Sequence, residues 1–537
     1  MGRHPSRLTE GDLIRIAVIG IITASGIFSS PVLAPAADRL SAQEKRGKQI
    51  YMRGADSEGK EIAAFLGEPP MEVPGSLMAC ANCHGYDGRG KPEGGVTPSD
   101  ITWDTMTKSY GVTHESGRKH PPYTESLLAR AVVEGVDPAG NKLHSAMPRY
   151  RLPTEEMNDL IAYIKRVGKD LDPGLTESAI TIGTLLPDRG PLAEAGEAMQ
   201  AVLAAYFRDL NEKGGVYSRK IEFRVVHAGS SPQETRKTVE RFVDEEQIFA
   251  MAGAFIAGAD KELATLLQEK EVPTIGPSTL YPQVGYPLNR QVFYLFSGIK
   301  EQGRALVSFA AESLKIEKPM TSIVCPDGEI PAATAAAIEE QCRKAGWEKV
   351  QRIPYPQGRF DARGLAKELS DRETEVVFLL GAGANELALE AGKLDWRPHI
   401  LLSGALAGRE VLDTPPSFKG TMYMSLPMLP TDQTPGGAME YHEFAEKYKI
   451  DPGHEAARIS AYCAAKVLVH GLKLAGREVT REKLITALEG MYRFETGLTP
   501  PLTYGPNRRV GAMGAYIMKV DMEKNGLVPA GGWVEVR

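Results

Sequence analysis

Residues 80 to 90 read Cys80-Ala81-Asn82-Cys83-His84-Gly85-Tyr86-Asp87-Gly88-Arg89-Gly90. Two thiols two residues apart, with an imidazole next in line, have the spacing of a c-type haem attachment site. Each thiol can add to one vinyl group of the porphyrin. The adjacent His84 then lies under the ring and ligates iron as the proximal ligand. A dithiol redox pair would not require His84. A zinc site would need a second Cys or His pair at matching distance, and the other cysteines, Cys325, Cys342 and Cys463, are far apart. Those three are expected as buried thiols. The stretch therefore predicts one covalent haem c on Cys80, Cys83 and His84.

The chain has 537 residues, too many for one ordinary core, so two or more domains are expected. Its 42% hydrophobic and 25% charged residues are globular values. A net charge of −6 gives no footprint for nucleic acid. Arg3, Arg7 and Arg15 precede or open an apolar run from Ile16 to Phe28, and Ala34-Pro35-Ala36 supplies small residues at cleavage spacing. Residues 1–36 thus read as a signal peptide, with an uncleaved N-terminal anchor as the alternative. The run is short for a span of about 20 apolar residues. Either way the remainder is expected in the periplasm, where covalent haem attachment also belongs.

Within residues 40–170, Ala42 to Arg53 reads as a helix with Gly47 and Tyr51 on one face. Leu127, Leu128, Ala131 and Val132 form a stripe on a helix opened by Thr124. Thr154 reads as the N-cap of a last helix, whose Met157, Leu160, Ile161 and Ile164 form one buried face before Gly168. The sixth iron ligand is sought among Met106, His114, His120, His144, Met147 and Met157. Met157 falls on the apolar stripe. Met147 falls in the turn Ala146-Met147-Pro148-Arg149-Tyr150, where Pro148 biases it to extended backbone. A soft thioether from a loop favours ferrous iron and raises the potential. Met147 is the expected ligand and His144 the runner-up.

With these residues in view, the region resembles a class I monohaem cytochrome c. The resemblance implies an all-α, three-helix domain with crossing terminal helices, and one-electron transfer. Arg118 and Tyr123, in the loop between, are carried as contacts for the haem propionates.

Leu171-Asp172-Pro173-Gly174 reads as a linker, set at 171–177. From 178 to 537 short apolar strands alternate with helices, twice over, which predicts two α/β lobes with parallel sheets. The segments from Gly183 (GTLLPDRGPLAEAGEAMQ), Val226 (VHAGSSPQETRKTVERFV) and Val272 (VPTIGPSTLYP) are similar to the type I periplasmic binding proteins, in their branched-chain amino-acid branch. That resemblance implies two lobes around a ligand cleft, lobe 1 at about 178–298 and 428–508 and lobe 2 at about 299–427 and 509–537. Crossovers are expected near Ser297 to Lys300, Leu426 to Thr431 and Tyr504 to Gly511. The residues that would clamp an amino acid appear replaced by Ala257, Leu280, Gly383 and Gly404, with Ser278 left as a backbone and hydroxyl contact. A charged amino acid there would leave ions unpaired, at a cost of several kcal/mol. The cleft is therefore expected to take something apolar or aromatic, or nothing.

The sequence points to an extracytoplasmic haem c electron-transfer or redox-sensing protein with a fused ligand module. Its expected partners are a periplasmic dehydrogenase, another cytochrome or an oxidase. The alternative is a transporter's substrate-binding receptor with an accessory redox domain and a membrane permease as partner. No second metal site, nucleophile–base pair or phosphate loop suggests an enzyme.

Overall fold

The computed structural model describes residues 40–536 apart from 68, 91, 93, 94, 408, 419, 420 and 525. The export segment expected at 1–36 lies outside the described residues. Among the described residues no helix is long and apolar enough to cross a membrane. The chain divides after Asp170 into two compact units.

In the first unit the Ala42–Arg53 helix starts because Ser41 and Glu44 cap each other. The Ser41 N–H donates to the Glu44 carboxylate at 2.6 Å and the Glu44 N–H to the Ser41 hydroxyl at 3.2 Å. Gly54 at φ +61° stops it. This helix crosses the Thr154–Ile164 helix at Gly47, where an added Cβ would lie 1.9 Å from the Asp159 carbonyl oxygen. Beside the crossing, Arg46 grips Asp159 through two hydrogen bonds of 2.7 and 2.9 Å. The rings of Tyr51 and Tyr163 pack 5.4 Å apart. The Glu125–Glu134 helix adds Leu128, Ala131 and Val132 to the same core.

Two details depart from the sequence reading. Thr154 is the first helical residue rather than the N-cap, because the Met157 N–H already reaches back to the Pro153 carbonyl at 2.9 Å. An antiparallel sheet, in the order Met71–Pro74, Ala63–Leu66, Arg149–Arg151, is added to the helices. Strands of three and four residues carry too little alternation to read from sequence.

The second unit holds two sheets. The first runs Val510–Ala512, Val292–Phe296, Thr274–Ile275, Ala250–Ala252, Ala179–Leu186, Lys220–His227, all parallel. The second runs Val350–Tyr355, Thr321–Pro326, Val376–Leu379, His399–Ser403, Met422–Leu426, then antiparallel Gly514–Asp521 and Gly526–Glu535. The third crossover falls at Met513, later than Tyr504 to Gly511, because Val510–Ala512 still pairs with Tyr294 and Phe296 of the first sheet. Lobe 1 therefore ends at about 512.

In lobe 1 the Ala193–Glu212 and Pro435–Tyr448 helices are clamped at Asp209. It accepts from Lys213 Nζ at 2.6 Å, Lys447 Nζ at 2.7 Å and the Tyr448 hydroxyl at 2.9 Å. Burial works against the charged carboxyl, but these donors outweigh it and hold Asp209 at about 2. A depressed folded value gives stability that is complete above the unfolded value near 4 and lost as pH falls towards 2. Asp209→Asn is expected to cost on the order of 1 to 2 kcal/mol at pH 7, after discounting for the half-exposed Lys447. It should also flatten the acid limb of urea-monitored stability between pH 4 and 2. An unchanged acid limb removes the clamp.

Candidate functional site: a haem turn and a hinge cleft

Cys80–His84 forms a single helical turn, so both thiols and the imidazole issue from one side of one short element. Cys80 and Cys83 are both free, and Cys83 is exposed. Enclosure of the Cys80 sulfur pushes its thiol up to about 12. The turn is anchored at its far end by the Tyr51 hydroxyl, which donates to the Gly85 carbonyl at 2.8 Å. The first helix of the unit thus grips the end of the attachment turn. The His84 Nδ1 lies 2.9 Å from the Ser99 carbonyl. A carbonyl only accepts, so Nδ1 carries the proton and Nε2 keeps its lone pair for a metal. Burial first of all lowers the His84 pKa, which favours this neutral, ligating form. The expected Cys80, Cys83 and His84 are thus brought together.

The six residues considered for the sixth position separate by environment. Met106 and Met157 are buried in the core of the unit. His114 and His120 bond each other through their Nε2 atoms at 3.0 Å. His144 is exposed, and its Nδ1 accepts from the Ala146 N–H at 3.2 Å, capping the turn. Met147 is half-buried in that turn, with its N–H donating to the His144 carbonyl at 3.0 Å. Arg149 staples the turn by donating to the carbonyls of Met147 and Leu143. Its guanidinium fills the place where Gly135 lacks a Cβ, so a helix C-cap at φ +69° makes room for the staple.

Arg118 belongs to a cationic cluster. It donates to Asp137 at 2.7 Å and lies 2.9 Å from His114 Nε2. Arg130 donates to the Asp137 carbonyl, while its buried Nε has no partner. Tyr123 is buried, its ring edge-on to His120 at 4.9 Å. Two guanidiniums around the single carboxylate of Asp137 leave positive charge to spare, and burial, which lowers the His114 pKa, keeps that ring from adding to it. Two free thiols on one turn, a tautomer-fixed imidazole and an orphaned cationic nitrogen fit a covalent haem with acidic side arms.

In the second unit the first crossover sits at the carboxyl ends of the strands, where α/β sheets place ligands. The Leu280 carbonyl accepts from the Ile299 N–H at 3.0 Å, tying the lobe 1 loop to the first helix of lobe 2. In that helix Gln302 Oε1 accepts from the hydroxyls of Ser403 at 3.2 Å and Ser425 at 3.4 Å. Ala257, Ser278 and Leu280 are half-buried on the lobe 1 side. The Ser278 N–H is spent on the Ala254 carbonyl at 2.7 Å, so this residue offers its hydroxyl rather than its amide. Gly383 and Gly404 do not leave open space. The Phe360 ring comes within 2.3 Å of a Cβ placed on Gly383, and the Leu426 side chain within 2.3 Å of one on Gly404. Two side chains from elsewhere have taken the volumes that these glycines vacated. Phe360 and Leu426 carry no motif and escape a reading by sequence position. Ser99 escapes too, because its contribution is a backbone carbonyl.

A family model described as cytochrome c matches residues 45–168, and one described as periplasmic binding protein matches residues 179–526. The Leu/Ile/Val-binding protein homolog 3 of Brucella melitensis is 23% identical over 350 residues, covering 64% of this chain and 91% of that protein. The Leu/Ile/Val-binding protein BraC3 of Rhizobium johnstonii is 22% identical, covering 62% of this chain and 89% of that protein. Among solved structures, a branched-chain amino-acid transporter protein from Thermus thermophilus with bound valine aligns at TM-score 0.55 and 20% identity, over 67% of this chain and 97% of that one. A fatty acid transporter substrate-binding protein from Thermomonospora curvata aligns at TM-score 0.54 and 20% identity, over 68% and 95%. At this identity the structural likeness speaks for the fold alone.

Proposed function

Since this chain belongs to the periplasmic binding protein family, with a cytochrome c domain joined ahead of the binding-protein part, we propose that it is an extracytoplasmic one-electron carrier or redox sensor with a fused small-ligand module. The observation that carries this reading is the His84 Nδ1–Ser99 bond beside two free thiols on one turn. Cys80 and Cys83 would hold haem c covalently, His84 would ligate its iron, and Met147 would supply the second protein ligand. When bound, haem c supplies reversible one-electron exchange. The chain's own part is to orient the imidazole through Ser99, to hold the attachment turn through Tyr51, and to offset acidic side arms with Arg118 and Arg130. Redox partners are a periplasmic dehydrogenase on one side and another cytochrome or an oxidase on the other.

A second reading, a transport receptor working with a membrane permease, is supported by the similarity to Leu/Ile/Val-binding proteins and to a transporter's substrate-binding protein. A ligand that shifts the haem potential supports coupling of the two halves, because linkage requires each ligand state to favour one redox state.

The test is the exported protein from cells competent in cytochrome maturation. Its colour is expected to survive denaturation, with reduced and oxidised spectra of a single low-spin haem. Colourless protein removes the carrier reading.

A further inference from the structure

We propose that the hinge cleft of the second unit takes an uncharged aromatic molecule, an inference that names the ligand class of the module proposed above and stands on that reading. Ligands of open α/β sheets sit outside the carboxyl ends of the strands. Here those ends, gathered at the Leu280–Ile299 and Gln302–Ser403 hydrogen bonds, carry an apolar and aromatic set. Lobe 1 contributes Phe255, Leu280 and Tyr281, and lobe 2 contributes Tyr355, Phe360 and Leu426, all six only partly covered. Tyr355 and Phe360 meet edge to face, with ring centroids 5.3 Å apart and planes at 70°. Tyr355 closes the Val350–Tyr355 strand, and its hydroxyl comes within 2.2 Å of a Cβ built on Gly381. Phe360 lies over Gly383 in the same loop. The glycine loop at 381–383 therefore exists to admit two rings, and their uncovered surface is a platform on which a third ring gains stacking and burial.

Two carboxylates near the lobe 1 ends are already engaged. Asp260 accepts from the Thr279 hydroxyl and from the Gly258 N–H at 3.0 Å. Asp188 pairs with its exposed neighbour Arg189 at 3.2 Å. Gly404, where an acidic side chain could reach an ammonium, is covered by Leu426. An ammonium or carboxylate held against the lobe 1 wall would lose its hydration without gaining a counter-charge there. A neutral hydroxyl or carbonyl on a ring needs only a hydroxyl, and Ser278 and Tyr281 provide two.

The experiment is calorimetric titration of the intact, haem-loaded protein with four probes: 4-methylphenol, benzyl alcohol, octanoate and leucine. At least one aromatic probe is expected to bind with a Kd on the order of 10 μM, within the efficiency limits of ligands this small, while leucine gives no heat. Phe360→Ala should weaken that binding roughly tenfold. Leu280→Asp, whose side chain sits on a partly open wall, should weaken it further. Circular dichroism of both variants reports their folding. Leucine binding in the micromolar range overturns the ligand class but leaves a working ligand module. Octanoate binding tighter than both aromatics overturns the aromatic assignment in favour of an aliphatic chain. Silence with all four probes overturns the class and the module reading together, while the haem half stands or falls on its own spectrum. An aromatic affinity unchanged in both variants overturns the placement.

Discussion

Met147→Ala is expected to abolish the sulfur-to-iron absorption band of the oxidised protein and to lower its midpoint potential by on the order of 0.1 V, within the ~0.8 V over which axial ligands set haem potentials. His144→Ala is expected to leave both unchanged. Two physical facts separate these residues, although they stand three positions apart. Met147 is half-buried and its turn is pinned by Arg149, so its backbone is held in place. His144 is exposed and spends one ring nitrogen on the Ala146 N–H. A thioether also stabilises the ferrous state, which an aquo or imidazole ligand does less well. Band and potential surviving in Met147→Ala but lost in His144→Ala would transfer the sixth position to the histidine.

Gly47→Ala is expected to destabilise the first unit by about 3 kcal/mol. The added methyl would lie 1.9 Å from the Asp159 carbonyl oxygen and 2.8 Å from the Tyr163 Cβ. Neither neighbour can rotate away, since one is backbone and the other the root of a side chain packed at the crossing. The helices must separate, which also strains the Arg46–Asp159 pair and the Tyr51 bond to Gly85. Urea unfolding of the haem-loaded protein, followed by the haem absorption, should lose between ~1 and ~3 M of midpoint at an m-value of 1 to 3 kcal/mol/M. A midpoint equal to that of the natural chain would mean that the crossing is not where stability resides.

The helices that carry this site were legible because their signals are local. Thr124 announces a helix start by a side chain that caps the adjacent backbone. The spacing of Gly47 and Tyr51 announces a close crossing, and the pair of thiols with His84 announces the haem turn. Other strands were hidden by their composition. Val350–Tyr355 is an edge strand containing Arg352 and Pro354, which reads as a breaker anywhere but at an edge. Around Met513 an uncharged run from Val510 to Met518 hides the step from one sheet to the other, since both sides of the step are apolar.

Chemistry fixed by residue type and near-neighbour spacing belonged to the sequence by itself: a Cys-x-x-Cys-His turn in a cytochrome c domain, and two α/β lobes. The tertiary structure alone decided what distant segments bring to those places. Ser99 reaches His84 from fifteen residues away with a main-chain oxygen, which has no letter of its own. Phe360 and Leu426 come to fill the spaces beside Gly383 and Gly404. A glycine in a sequence says that room is needed, and only packing in three dimensions says what moves into it.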